Sequence, residues 1–430
     1  MVSSDTAILE HDGKRTELPI VRGTEGQIGI DIGKLQLKAG CITYDNGFAN
    51  TGSCLSEITY VDGEQGILRY RGYDIEDLVS NCTFVEVAYL LVHGKLPTAV
   101  ELKQWSSHLN EHSLIHEDMN HFFTGFPVGS HPMAILSAMV TSLSSFYPHI
   151  MAGDPNFDVT ASRLISKVRT IAAFSYKKSL GDPAVYPRHD LSYCANFLNM
   201  MFSSPVKEYV VRPEVVEGLN QLFIVHADHE QNCSTSAVRL VASSGVNLYA
   251  AISAGISALW GRMHGGANQA VIEMLSAIMA EGRSIRTYID RAKSKEDKFR
   301  LMGFGHPLYR TMDPRVNVIK RLCHDLLPKL DVKDPLLEIA MELEEAALKD
   351  DYFIERRLYP NLDFYSGIIF RAMGIPLNMM TVMFAIGRLP GWIAHWRETA
   401  ENPNWKIWRP RQIYTGPKKR DFVPIMRRKA

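Results

Sequence analysis

From Asp74 onward the chain reads as helix after helix, and several of these segments are apolar on most of their faces. A helix of that kind cannot leave a broad side in water, so it has to be packed between others. The clearest segments are 84–91, which runs on to the helix stop Gly94, then 132–146, 190–202, 213–225, 247–260, 269–280, 335–348 and 363–373. Pro97 opens the segment that follows Gly94. No strand–helix alternation interrupts them, which argues against a doubly wound α/β fold. The first fifty or so residues differ. Segments 16–21 and 28–32 are short and β-leaning, and 57–60 and 66–70 flank Asp62-Gly63, a turn signal that predicts a hairpin. The expectation is a mainly α protein with a small β-rich N-terminal region.

A chain of 430 residues has room for two or three domains. Lys plus Arg equals Asp plus Glu at 47 each, so a nucleic-acid binder, which carries a basic excess, is not expected. That balance still allows a local basic pocket for a small anion. Cys41, Cys54, Cys82, Cys194, Cys233 and Cys323 are scattered, with no C-x-x-C pair. This is neither a disulfide framework nor a zinc ribbon. It fits a reducing compartment in which most cysteines serve as small buried hydrophobes. The N-terminus shows no apolar signal core and no Arg-rich transit pattern. No apolar run approaches the roughly 18–20 residues that span a bilayer. The expectation is a cytoplasmic protein without membrane contact.

Four places carry residues suited to chemistry. His226-Ala227-Asp228-His229-Glu230 puts two histidines three apart, on one face if helical, with carboxylates beside them. A metal site is one reading and a polar patch at a helix end the other; no HExxH or matching distal motif is present. His264 is followed by Gly265-Gly266 and a helix, which lets a ligand come close or simply marks a glycine cap. Gly303-Phe304-Gly305-His306-Pro307 is followed by Arg310 and by Asp313-Pro314-Arg315. Such glycines expose backbone to a ligand, and guanidinium forks suit carboxylates and phosphates. Asp363 lies where a helix begins, in 359–367, and suits an N-cap. Its neighbours are apolar, and a desolvated carboxylate is a stronger base.

Taken together these segments resemble the citrate synthase family. The match rests on Gly303–Pro307 spaced from Asp313-Pro314-Arg315, on 226–236, 259–268 and 360–367, and on Arg409-Pro410-Arg411-Gln412, all in family order. It covers nearly the whole chain. The β-rich start and 196–202 look like the larger bacterial class, which assembles as a hexamer of dimers. The resemblance implies a two-domain helical fold: a β-rich region 1–52, a large helical domain 53–267 completed by 381–430, and a small helical domain 268–380.

It also implies roles. Asp363 would take a proton from the acetyl methyl of acetyl-CoA, the co-substrate. His264 would hydrogen-bond the thioester oxygen, and His306 would polarise the keto group of oxaloacetate. His229, Arg315, Arg388 and Arg409 would hold substrate carboxylates, Arg409 from the partner subunit of a dimer with shared sites. Gly303, Phe304, Gly305 and Arg310 would face CoA. No metal or permanently bound cofactor is implied. A thioester α-proton is a very weak acid, so its removal needs stabilisation of the oxygen as charge develops. Hydrolysis of citryl-CoA inside a closed site implies domain closure, with oxaloacetate binding first.

His112, Tyr147, Arg163 and Lys167 look like parts of the remote NADH site of that class. Glu111 stands where strongly inhibited relatives carry an arginine, and Val206 where some carry a cysteine. A glutamate beside a pyrophosphate costs about 1 kcal/mol or more at short range, so weak or no NADH inhibition is expected. Three alternatives stay open: 2-methylcitrate synthase acting on propionyl-CoA, a metal-dependent hydrolase built on His226, Asp228, His229 and Glu230, and a non-catalytic helical scaffold. The basic run Lys418-Lys419-Arg420 with Arg427-Arg428-Lys429 reads as a solvated tail.

Overall fold

The computed structural model describes residues 2–148 and 156–428; Lys429 of the basic run lies outside them. The chain divides into two compact units, Met1–Glu57 and Ile58–Ala430.

The first unit is an antiparallel sheet of β1 (Val2–His11), β2 (Lys14–Arg22) and β3 (Ile28–Ile30), followed by the short helix α1 (Leu35–Ala39). β1 falls outside the sequence reading, which began the sheet at 16–21. Its signal was present: His11 pairs with Lys14 across Asp12-Gly13, both at positive φ, +48° and +73°. That is the two-residue turn whose twist suits a hairpin.

The second unit opens with the expected hairpin, β4 (Thr59–Asp62) and β5 (Ile67–Tyr70), extended by β6 (Tyr73–Asp74). The first run of helices is α2 (Ile75–Asn81), α3 (Phe84–His93), α4 (Ala99–Glu111), α5 (Met119–Thr124), α6 (Pro132–Phe146) and α7 (Phe157–Leu180). Next come α8 (Tyr193–Phe202), α9 (Pro213–His226), α10 (Cys233–Ala242), α11 (Leu248–Leu259), α12 (Ala267–Glu281) and α13 (Ile285–Lys293). The last are α14 (Pro314–Lys329), α15 (Pro335–Leu348), α16 (Asp351–Glu355), α17 (Leu362–Ala372) and α18 (Leu377–Ala400). Starts follow cap chemistry. Thr83 with Glu86 and Thr98 with Glu101 form capping boxes on α3 and α4. α8 begins after Ser192 rather than at Asp190, because Asp190 is held by Arg188 at 2.8 Å in the preceding loop.

α18 is the spine of this unit, buried along most of its length and packed against α3, α6, α7, α9, α10, α11 and α12. α17 packs against α12, α14 and α15. Among the described residues no single helix is long and apolar enough to cross a membrane. α17 and α18 together meet that test but are bent by 114° at their junction, and both are core helices. Beyond Glu401 the described chain runs without helix or strand, largely exposed, to a 3-10 turn at Ile425–Arg427.

Of the six cysteines only Cys194 and Cys323 are buried; Cys41, Cys54 and Cys82 are half-buried and Cys233 is exposed. The expectation that most are buried hydrophobes is therefore corrected. Cys41 and Cys54 fall in irregular chain, and Cys233 starts α10 in an exposed position.

Candidate active site

Seven segments of the second unit carry the candidate residues: the turn after α9, the starts of α10, α14 and α17, the α11–α12 turn, the loop 303–309 and the middle of α18. The glycine loop is shaped by its backbone. Gly303 and Gly305 sit at φ +80° and +81°, where a side chain is strained. A Cβ on Gly303 would also lie 2.8 Å from Val271 Cγ2. The loop is stapled to the approach to α17. The Gly305 N–H donates to the Tyr359 carbonyl at 2.7 Å, and the Asn361 N–H to the Gly303 carbonyl at 2.8 Å. Asn361 Nδ2 donates to the Gly305 carbonyl at 2.9 Å.

Asn361 also caps α17, its Oδ1 accepting the Asp363 N–H at 3.0 Å. The cap expected of Asp363 thus belongs to Asn361, two residues earlier. That frees the Asp363 carboxylate, whose Oδ1 is buried without a hydrogen-bond partner. Burial pushes this carboxyl up to about 6, against the pull of Arg315 and Arg388.

Both site histidines are neutral donors. The Ser234 N–H, at the start of α10, points to His264 Nε2 at 3.3 Å, with Ser234 Oγ at 2.8 Å. A backbone N–H can only donate, so Nε2 holds the lone pair and Nδ1 the proton. Burial, with the charge of Arg388, brings His264 down to about 4. His306 Nδ1 accepts the Leu308 N–H at 3.1 Å and the Tyr309 N–H at 3.4 Å, which puts its proton on Nε2. Burial and Arg315 lower it to about 4 as well. His229 lies beside it, ring centres 5.2 Å apart, with Nε2 3.0 Å from Tyr309 Oη. Burial and Arg315 hold His229 well below the usual histidine range.

The two buried arginines differ. Arg315 is clamped by Asp313, Nε to Oδ1 at 3.0 Å and Nη2 to Oδ2 at 2.7 Å. Burial works against its charge, and Asp313 outweighs that and raises it. Arg388 donates through Nε to the His226 carbonyl at 2.6 Å and forms no ion pair among the described contacts. Burial lowers it, with Asp228 in partial compensation. Its terminal nitrogens are thus available to a carboxylate.

His226 and His229 do not share a helical face, because α9 ends at His226. His226 Nδ1 bonds the Leu222 carbonyl at 2.6 Å within the helix, while Asp228 turns to His395 at 3.2 Å. No group of three His, Cys, Asp or Glu among the described residues is placed to hold a metal ion.

Other candidates lie apart. Arg310 is exposed, 3.9 Å from Glu64, and its N–H donates to the Gly63 carbonyl at 2.8 Å. Arg409 is exposed on the C-terminal segment, with no described partner. His112, Tyr147, Arg163 and Lys167 do come together. Arg163 lies 4.5 Å and Lys167 Nζ 5.4 Å from the Tyr147 ring centre, and Lys167 Nζ donates to the Leu114 carbonyl. Burial and Arg163 lower Lys167 to about 8, and burial with Arg163 and Lys167 lowers His112. Glu111 accepts Ser107 Oγ at 2.8 Å, and Val206 is exposed.

Sequence reasoning gave no role to Ser234, Tyr309 or Asn361. Asn361 had a signal, an Asn just before a helical run. The other two meet their histidines only through the tertiary fold.

A sequence model of the family described as citrate synthase, C-terminal domain, matches residues 47–411. Citrate synthase 1 of Mycobacterium tuberculosis is 52% identical over 425 residues, covering 98% of this chain and 99% of the relative. The citrate synthase structure from Pyrobaculum aerophilum aligns with TM-score 0.80 at 33% identity, over 99% of this chain and 100% of that one. That of Thermoplasma acidophilum, a ternary complex with carboxymethyl coenzyme A and oxaloacetate, aligns with TM-score 0.81 at 31% identity, over 90% of this chain and 100% of that one. Fold, identity along nearly the full length and the matched family region agree: the chain belongs to the citrate synthase family.

Proposed function

We propose that this acyltransferase condenses acetyl-CoA with oxaloacetate through Asp363, His264 and His306, and then hydrolyses citryl-CoA to citrate and CoA. The observation that carries the assignment is the buried, unpartnered Asp363 Oδ1, together with two neutral imidazoles that each keep one N–H. Asp363 takes a methyl proton. The Nδ1–H of His264 stabilises the thioester oxygen as the enol forms. The enol carbon attacks the oxaloacetate keto carbon, and the Nε2–H of His306 protonates the new alkoxide. Water then cleaves the thioester and releases the CoA thiol. His229, Arg315 and Arg388 hold the carboxylates of oxaloacetate. Gly303, Phe304, Gly305 and Arg310 face CoA. The relative solved with a CoA analogue and oxaloacetate supports this two-substrate reading.

Mixing the protein with acetyl-CoA and a thiol-trapping dye, then adding oxaloacetate, tests the reaction. Prompt, chelator-resistant thiol release is expected. Faster release with propionyl-CoA would transfer the assignment to 2-methylcitrate, and no release with either would remove it. Asp363 acts only when ionised, so kcat/KM falls as pH drops through about 6. The two histidines, near 4, add no limb above about pH 5. A pH–rate profile that stays flat below that point would contradict the role of Asp363.

The hairpin turn backs the His306 loop. A Cβ on Gly63 would stand 2.0 Å from the Leu308 carbonyl oxygen, so Gly63→Ala must displace that loop. A fall in kcat of about 10–100-fold is expected, in a protein that still melts cooperatively. Unchanged kcat would show that the turn does not set His306.

Arg409 acts from the partner subunit of a dimer, and dimers gather into a hexamer. The C-terminal segment supports this, since it exposes Ile407, Ile413, Tyr414 and Phe422 as a chain seated on a second copy would. Mixed Arg409→Ala and Asp363→Ala chains should regain part of the activity in hybrid dimers; none, with hybrids proven, would place each site within one chain. The segments 53–267 with 381–430 and 268–380 act as large and small domains that close over oxaloacetate. The cluster of His112, Tyr147, Arg163 and Lys167 is a remnant of an NADH site weakened by Glu111, and strong inhibition by sub-millimolar NADH would refute that. The scattered cysteines, with no C-x-x-C pair, support a cytoplasmic location.

A further inference from the structure

We infer that His395 is a positioning residue for the oxaloacetate end of the site, acting through Asp228 on His229 and Arg388; the inference rests on the reaction proposed above. His395 is 1% exposed on α18, and Asp228 is fully buried. Arg239 Nη1, from α10, donates to His395 Nδ1 at 2.9 Å. A guanidinium can only donate, so this bond leaves the lone pair on Nδ1 and the proton on Nε2. That Nε2–H faces Asp228, 3.2 Å from Oδ1 and 3.3 Å from Oδ2. Arg239 Nη1 is itself held by Glu398 at 2.7 Å. A neutral imidazole thus joins a compensated ion pair to a buried carboxylate, with its tautomer fixed by the arginine.

What Asp228 holds in turn is the turn that carries the substrate residues. Asp228 Oδ2 accepts the Glu230 N–H at 3.2 Å, and Glu230 sits at φ +52°, a strained conformation for its type. His229 lies between them. Tyr70 Oη donates to the Asp228 carbonyl at 2.9 Å from the opposite side. α18 grips the same turn twice more. Arg388 Nε takes the His226 carbonyl at 2.6 Å, and Gly391 allows contact so close that a Cβ there would be 2.4 Å from Asp228 Oδ1. Arg388, Gly391 and His395 follow one another along one face of α18. Without the Nε2–H the Asp228 carboxylate loses its imidazole donor, and the strained turn is held by the Glu230 N–H bond to a carboxylate no longer fixed from α18. His229 and Arg388 then lose their aim at the dicarboxylate, while His264 and Asp363, held by α10 and Asn361, keep theirs.

The test compares wild type, His395→Leu and His395→Gln, the last keeping an N–H near the Nε2 position. Oxaloacetate Kd is measured by titration calorimetry, and kcat and both KM values by thiol release. The Leu variant is expected to raise oxaloacetate Kd and KM about tenfold or more, with kcat at saturation and acetyl-CoA KM within about threefold. The Gln variant is expected to recover oxaloacetate affinity to within about threefold of wild type. A folded Leu variant with wild-type Kd, or a fall in kcat with KM unchanged, would overturn the inference. If the Leu variant does not fold, Gln decides: affinity near wild type supports the donor role, and a loss of about tenfold overturns it. Failure of the reaction itself reads differently, as a wild-type protein that neither binds oxaloacetate nor releases thiol.

Discussion

Replacing Asp363 by Asn is expected to lower condensation by about 10²–10⁴-fold and, at the same time, to make the protein more stable. The loss follows from the missing base. The gain follows from the sign of the pKa shift. Burial raises this carboxyl from the usual 3.8 to about 6, so the fold disfavours its ionised form. Above pH 6 the charge therefore costs stability, about 1–3 kcal/mol, and the neutral amide removes that cost. The gain shrinks as pH falls through about 6 and is gone below the unfolded value near 3.8, where the carboxyl is neutral in both states. Thermal melts of both proteins at high and low pH, with oxaloacetate titrations, check this. A variant that melts lower at pH 8, or that no longer binds oxaloacetate, would show that Asp363 holds the structure or the substrate rather than a proton.

Arg315→Met and Arg388→Met are both expected to abolish useful oxaloacetate binding, by about 10²-fold or more, with unequal effects on folding. Asp313 is 1% exposed and gives both its oxygens to Arg315. Removing Arg315 strands that buried charge, at about 3–5 kcal/mol. Arg388 has no such partner, and burial already opposes its charge. Its replacement should change stability by no more than about 1–2 kcal/mol, mainly through the His226 carbonyl it leaves unbonded. Denaturant unfolding of the two variants separates the cases. Equal destabilisation would mean that the Asp313 clamp does not distinguish them.

The fold was readable where local chemistry is unambiguous. α6 and α15 match the sequence reading residue for residue, because a proline at the first helical position fixes the start. α7 and α18 were passed over for opposite reasons. α7 buries Lys167, Arg169 and Lys177, which break its apolar stripe. α18 contains Gly387, Pro390 and Gly391, residue types that usually end or kink a helix, yet the helix continues through them in the packed core. At the site, the glycine loop and its following arginine were visible because they are close in sequence. Their supports were not. Ser234 meets His264 across 30 residues, His229 meets Tyr309 across 80, and Asp228 meets His395 across 167. No local pattern encodes such contacts; they exist only once helices have packed.

The staple between Gly305 and Tyr359 has a topological consequence. The chain leaves the glycine loop, travels through α14, α15 and α16, and returns to within hydrogen-bonding distance of where it left. The spacing between His306 and Asp363 is set by Asn361 and two backbone contacts across that neck, not by the length of the excursion. The connections between α14, α15 and α16 can therefore lengthen without changing that spacing, because closing a longer loop costs little once its ends are pinned. The spacing of His306 and Asp363 is insulated from insertions in the loops of the chain that separates them in sequence.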